Sequence, residues 1–148
     1  MRFSCAQLSR RAEVLLDDLG VSRKSIDVAL VGNRSIRLLN RKYLEIDEVT
    51  DVLSFPSAPF LAVAPHRLGS ENNHLNQEKS HIGDIAISIG EAQRQATEDN
   101  VSLEVAIDRL LIHGLLHLLG FEHGTIRGDA QMRQNESRLL DLLYGNSS

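Results

Sequence analysis

Apolar positions recur along this chain with two periods, and the switch from one to the other marks out the elements. Leu8, Ala12, Leu15, Leu16 and Leu19 return at helical spacing over residues 6–19, and Gly20 supplies a stop. Ile26 to Val31 is a short apolar run closed by Gly32-Asn33, which reads as a strand. Residues 34–44 return to helical spacing. Ile36, Leu39 and Tyr43 lie on one face, and Arg34, Arg37 and Arg41 lie on the other. Thr50 to Phe55 reads as a strand closed by Pro56, and Ile82 to Ile89 as another, with Ile85, Ile87 and Ile89 alternating. Residues 90–99 form a short polar helix. The helix that follows starts behind Ser102 as N-cap, carries Glu104 in its first turn and runs to about Leu119, with Gly120 as its cap. It is apolar nearly all round, as a buried central helix is. A last helix spans Asp129 to Tyr144.

Between about 57 and 80 neither period holds. Pro65, Gly69, Ser70, Asn72, Asn73, Asn76 and Ser80 make this a long loop, with a short strand at Phe60–Val63 as its first piece. His66 and His74 fall here and are expected to be solvated. The elements predict an α+β fold, a four-stranded sheet packed with about five to six helices, the helix from Leu103 buried at its centre. No repeat and no linker divides the chain, so a single domain over residues 1–148 is expected.

Composition narrows the function classes. Hydrophobic residues are 42% and charged residues 24%, an ordinary soluble balance that excludes disorder over the whole length. A net charge of −4 argues against a protein that coats nucleic acid by charge alone. Cys5 is the sole cysteine, so neither an internal disulfide nor a cysteine zinc site can form within the chain. No apolar run reaches the length of a membrane span. Arg10, Arg11, Asp17 and Asp18 break up any signal-peptide core. A cytoplasmic protein without a membrane partner is expected.

Candidate chemistry is concentrated in His113-Gly-Leu-Leu-His117-Leu-Leu-Gly120-Phe-Glu-His123. Residues four apart on a helix stand one turn apart on one face. Two imidazoles so placed can reach one metal ion, and Gly120 can turn the chain so that His123 approaches from outside the helix. Three neutral imidazoles leave one tetrahedral position open, as in catalytic rather than structural zinc sites. A single histidine here would be an ordinary core residue, but two imidazoles buried among leucines without partners would cost free energy that a metal removes. Zinc is the expected ion, one per chain, although imidazole also suits nickel and copper.

The spacing matches the zinc-peptidase pattern H-E-x-x-H-x-x-G-x-x-H, except that Gly114 stands where the peptidase has its glutamate base. Glu122 and Asp84 are carboxylates that could take its place. Alternatively, a substrate with its own nucleophile, such as the 2′-hydroxyl of RNA, would need less of an enzyme base. A hydrolase of another substrate, and a non-catalytic binding protein braced by zinc, stay open on spacing alone.

Three segments resemble one known family in order. His113 to His123 resembles the H-G-x-L-H-L-x-G-[YF]-D-H signature of the YbeY-type bacterial endoribonucleases, the rRNA maturation factor family. Leu39-Asn40-Arg41-Lys42-Tyr43 with Thr50-Asp51-Val52-Leu53-Ser54-Phe55-Pro56 resembles its L-N-x-x-Y-R…T-D-V-L-S-F-P block. Gly83-Asp84-Ile85 resembles its G-D-[IL] strand, and the Met132-x-x-x-Glu136 spacing is also similar. The resemblance implies a compact α/β domain with a small mixed sheet, and zinc on His113, His117 and His123. It implies cleavage of single-stranded RNA in maturing the 3′ end of 16S rRNA and in ribosome quality control, with the ribosome or small-subunit factors as partners. Arg34, Arg37, Arg41 and Ser54 are then expected on the substrate side, with Asp51 helping to orient the site. Two positions depart from the pattern. Leu44 replaces an arginine expected to face the substrate phosphate, and Glu122 replaces the aspartate before the last histidine.

Overall fold

The computed structural model of the chain describes residues 5–21, 23–57, 80–120 and 126–145. These residues form α1 (Cys5–Asp18), β1 (Lys24–Val31), α2 (Asn33–Leu44), β2 (Val52–Pro56), β3 (Ser80–Ser88), α3 (Ile89–Asp99), α4 (Leu103–Leu118) and α5 (Ile126–Tyr144). β3 is the middle strand, with β1 parallel on one side and β2 antiparallel on the other. The α+β class agrees with the pattern of periods, and the mixed sheet with what the resemblance implied. The described sheet has three strands rather than four. The fourth was expected at Phe60–Val63, which lies outside the described residues, as do His66 and His74. Five helices are described, the lower of the numbers expected.

Strand side chains alternate between faces, and the two faces of this sheet are used differently. Val52, Ser54 and Ile85 meet α4. Leu53, Phe55, Asp84 and Ala86 fall on the opposite face, where Tyr43 of α2 packs its ring against Phe55 at 5.1 Å. The main core lies on the α4 side. Leu15 and Leu16 of α1, Ile82, Ile85 and Ile87 of β3, Leu111 and Leu115 of α4, and Met132 and Leu139 of α5 are buried together. Leu, Ile and Ala side chains close this core without a tryptophan, as the low aromatic content requires.

The helix ends follow local chemistry. Ser102 caps α4 by accepting a hydrogen bond from Val105 N, and Ser88 caps α3 by accepting one from Glu91 N. The strand read as Ile82 to Ile89 ends at Ser88, because the Ser88 side chain starts the helix and Ile89 is its first residue. Gly120 has φ of +97°, a conformation open to glycine without the penalty a side chain brings, and it turns the chain away from the end of α4.

Asp108 joins three helices. It is fully buried on α4 and accepts hydrogen bonds from Arg11 Nε of α1 at 3.1 Å and Tyr144 OH of α5 at 2.5 Å. Burial raises its carboxyl pKa, and the bonds from Tyr144 and Arg11 pull the other way without cancelling that effect. The same environment pushes the Tyr144 hydroxyl well above its ordinary range. No described helix is long and apolar enough to cross a membrane.

Candidate metal centre

α4 carries His113 and His117 one turn apart, as i and i+4 spacing dictates. Their ring centroids are 4.6 Å apart with the planes inclined by 72°, and the two Nε2 atoms approach to 3.1 Å. Two imidazole nitrogens on one tetrahedral zinc, each ~2.05 Å from it, would lie about 3.3 Å apart. The pair therefore has the bite of a chelating site. A direct hydrogen bond between the rings would give a similar distance, and metal analysis separates the two readings.

The third participant comes from another helix. Glu136 of α5 places Oε2 2.7 Å from His113 Nδ1. An ionised carboxylate can only accept, so this contact selects the tautomer with the proton on Nδ1, in which Nε2 presents its lone pair toward His117. A carboxylate behind a histidine is the arrangement that fixes tautomer and ring direction in zinc sites. The donor set present thus fits a zinc-type ion. His123, the third expected ligand, and Glu122 lie outside the described residues.

Gly114 explains why the peptidase base has no place here. A Cβ on it would lie 3.0 Å from Ile85 Cγ2, 3.1 Å from Ser54 Oγ and 3.2 Å from Val52 Cγ2. A glutamate there would press its first carbon on side chains of β2 and β3, each of which would have to give slightly. Close packing also brings Ser54 Oγ to the carbonyl of Gly114, to which it donates at 2.9 Å. Ser54, expected on the substrate side, thus ties β2 to the helix turn that carries both histidines. Asp51 accepts from Gln95 Nε2 at 2.9 Å and lines a cleft of about 430 Å³ together with Arg109, His113, Arg133 and Glu136.

The arginine stripe of α2 is exposed, as its spacing predicted. Arg37 spends two of its N–H donors on Asp47, at 2.9 and 3.2 Å, and so holds the Asp47 carboxyl below its ordinary range. Arg34 and Arg41 form no ion pair among the described residues. No described hydrogen bond or ion pair joins this stripe to the histidines. Leu44 is exposed and borders a groove of about 620 Å³ between α2 and the sheet, with Tyr43, Phe55, Asp27 and Asp84.

Asp84 therefore stands across the sheet from α4 and is no replacement for the missing base. It belongs instead to a second cluster, in which His81 Nε2 lies 2.9 Å from Asp84 Oδ1 and 3.8 Å from Asp27 Oδ2. All three residues of that cluster are exposed.

The family model for Endoribonuclease YbeY matches residues 4–144. The chain belongs to the YbeY endoribonuclease family. It is 38% identical over 140 residues to Endoribonuclease YbeY of Thermus thermophilus, covering 92% of this chain and 88% of that protein. To Endoribonuclease YbeY of Clostridioides difficile it is 35% identical over 118 residues, covering 80% and 71%. A solution structure of TM1509 from Thermotoga maritima superimposes with a TM-score of 0.63 at 21% identity, covering 99% of this chain and 87% of that one. The structural likeness speaks for the fold alone. Family membership makes the chain a nuclease, and so a hydrolase, as the resemblance of the motifs implied.

Several YbeY-type motif positions acquire physical roles here. Asn40 is buried and donates from Nδ2 to Glu48 O at 3.0 Å, which holds the connection between α2 and β2. Gly83 lies where a Cβ would stand 2.6 Å from Phe55 O and 2.8 Å from Leu118 Cδ2, so only glycine lets β2 and α4 close on β3. Glu136 was visible in the sequence as a spacing without a role. Its signal was a carboxylate in the last helix, and only the packing of α5 on α4 assigns it to His113. Arg109 and Arg133 were not singled out at all.

Proposed function

We propose that this chain binds one zinc ion through His113, His117 and His123 and cleaves single-stranded RNA, in maturing the 3′ end of 16S rRNA and in ribosome quality control. The observation that carries the metal assignment is the convergence of His113 Nε2 and His117 Nε2, with Glu136 fixing the proton of His113 on the far nitrogen. Membership in a family named for RNA cleavage supports the substrate class. When bound, the ion supplies Lewis-acid polarisation at a phosphoryl oxygen.

The chain's own residues do the rest by position. Glu136 keeps His113 in the metal-binding tautomer. Ser54 and the bare Cα of Gly114 lock the histidine turn against β2, so the two rings keep their spacing without a flexible support. Gly114 supplies no carboxylate base beside the histidines, which suits a substrate with an internal hydroxyl better than a peptide. Arg34 and Arg41 face solvent and supply attraction for the phosphate backbone at a distance from the histidines, while the charge of Arg37 is offset by Asp47. This gives an acidic chain a way to hold RNA.

The test is cleavage of a single-stranded fragment from the 3′ end of 16S rRNA by the wild type and by His117→Ala. Loss of cleavage together with loss of bound zinc is the expected result. Unchanged cleavage by the variant would overturn the proposal.

A further inference from the structure

The two clefts beside the sheet differ in charge, and the difference bears on where RNA lies. Among the described residues, the groove between α2 and the sheet is lined by no lysine or arginine and carries Asp27 and Asp84. The cleft between α4 and α5 is lined by both Arg109 and Arg133, together with His113 and Glu136. Helical spacing makes this placement specific. Arg109 stands four residues before His113 on α4, and Arg133 three residues before Glu136 on α5, so each arginine is one turn from one member of the His113–Glu136 pair. Arg133 is exposed and makes no ion pair among the described residues. Arg109 Nη1 donates to Asp99 at 2.9 Å, which leaves its other N–H groups available. The two arginines balance Asp51 and Glu136 in the cleft wall. The cleft's volume of about 430 Å³ is in the range of small-ligand sites.

We propose that the α4–α5 cleft is a phosphate subsite: Arg133, assisted by Arg109, holds the phosphodiester adjacent to the one at the histidines. This rests on the reading of the chain as a single-strand ribonuclease. A guanidinium presents two parallel donors to a phosphate, a geometry that lysine does not reproduce. The groove under α2, lined by exposed Leu44 and two aspartates, presents no cation to the same group among the described residues, while Arg34 and Arg41 stand on the solvent side of that helix. RNA therefore leaves the histidines over α5, outside the groove under α2.

The experiment uses the full zinc-loaded chain and a short fluorescent single-stranded oligoribonucleotide, with binding and cleavage measured across a salt series. Arg133→Ala is expected to raise KM about ten-fold with kcat within a factor of two. Its plot of log affinity against log salt should flatten by ~0.7, the loss of one phosphate contact on a single strand. Arg133→Lys should restore the salt slope but only part of the affinity. Arg109→Ala should have a smaller effect in the same direction. Zinc content and melting temperature should not change in any of these variants, because both side chains are at the surface. A second arm replaces one phosphate beside the cleavage site with a neutral methylphosphonate. This should weaken binding to the wild type and leave binding to Arg133→Ala unaffected. If the wild type binds and cleaves RNA and Arg133→Ala matches it in KM and salt slope, the subsite is wrong and the ribonuclease reading stands. If the wild type neither binds nor cleaves RNA, the ribonuclease reading falls and the subsite falls with it.

Discussion

The two faces of the sheet each carry a histidine near carboxylates, and they are prepared to very different degrees. On the α4 face, His113 and His117 stand on a helix locked by close packing at Gly114, and Glu136 fixes the ring that matters. On the opposite face, His81 lies between Asp27 and Asp84, with all three side chains in water. Distances alone make both look like ligand sets. What separates them is preorganisation. The strand cluster must give up water and rotamer freedom to bind an ion, whereas His113 is part-buried and already held by Glu136, with the exposed His117 one turn away on the same helix. Donor atoms that are merely near one another therefore do not make a strong site.

The largest effect expected from breaking this preparation is at Glu136. Glu136→Ala removes the acceptor behind His113 and should weaken zinc affinity by about 10–100-fold, the usual cost of losing such a partner. Glu136→Gln keeps an acceptor without the charge and should fall between that variant and the wild type. Competition with a chelator of known affinity measures both. Equal zinc affinity in all three proteins would mean that the carboxylate does not prepare the ring.

The support beneath the site should come next. Gly83→Ala places a Cβ against a backbone oxygen and Leu118, and should cost about 1–3 kcal/mol of stability through overpacking. Chemical denaturation reads this directly. Because the contact falls on the Phe55 carbonyl oxygen, β2 must shift, and through the Ser54 bond to the histidine turn zinc affinity should fall as well. An equivalent clash is absent on the exposed face, so His81→Ala should leave stability within about 0.5 kcal/mol of the wild type.

A smaller effect is expected at Asp108, which braces α4 from the far side. Its folded pKa is raised, so the unfolded chain releases this proton first as pH rises. Between the ordinary carboxyl pKa of 3.8 and the raised folded value, the folded state holds more protons, and stability from this group falls with increasing pH. Asp108→Asn should remove that slope. Melting temperatures measured through the mildly acidic range for both proteins test it, and parallel curves would contradict the assignment.

How much of this was legible in the sequence follows from the range of each interaction. The elements were legible because period and caps are local: Ser102 before α4 and Gly120 after it do in the structure what their residue types suggest. The i, i+4 pairing of His113 and His117 was legible for the same reason. The pairing of His113 with Glu136 was not, because the two are 23 positions apart and meet only through helix-to-helix packing. Nor was the Arg11–Asp108–Tyr144 brace, whose members come from three helices. The α2 stripe shows the limit from the other side. Spacing placed Arg34, Arg37 and Arg41 on one exposed face correctly, but it could not show that Asp47, in the following connection, would engage the middle one. Asp84 could be named as a candidate base from the sequence, and only strand alternation in the folded sheet puts it on the wrong side. The motif glycines were visible as identities, while their reason, the approach of a second backbone or side chain, exists only in three dimensions.

The central claim is that the prepared helix pair, rather than the solvated strand cluster, holds the metal. Its most direct test is zinc content per chain, measured by elemental analysis on protein purified without added metal. The comparison is between His113→Ala/His117→Ala and Asp27→Ala/His81→Ala/Asp84→Ala. The account predicts about one zinc per chain in the wild type and in the strand variant, and close to none in the helix variant. Zinc retained by a folded helix variant and lost from the strand variant would contradict it.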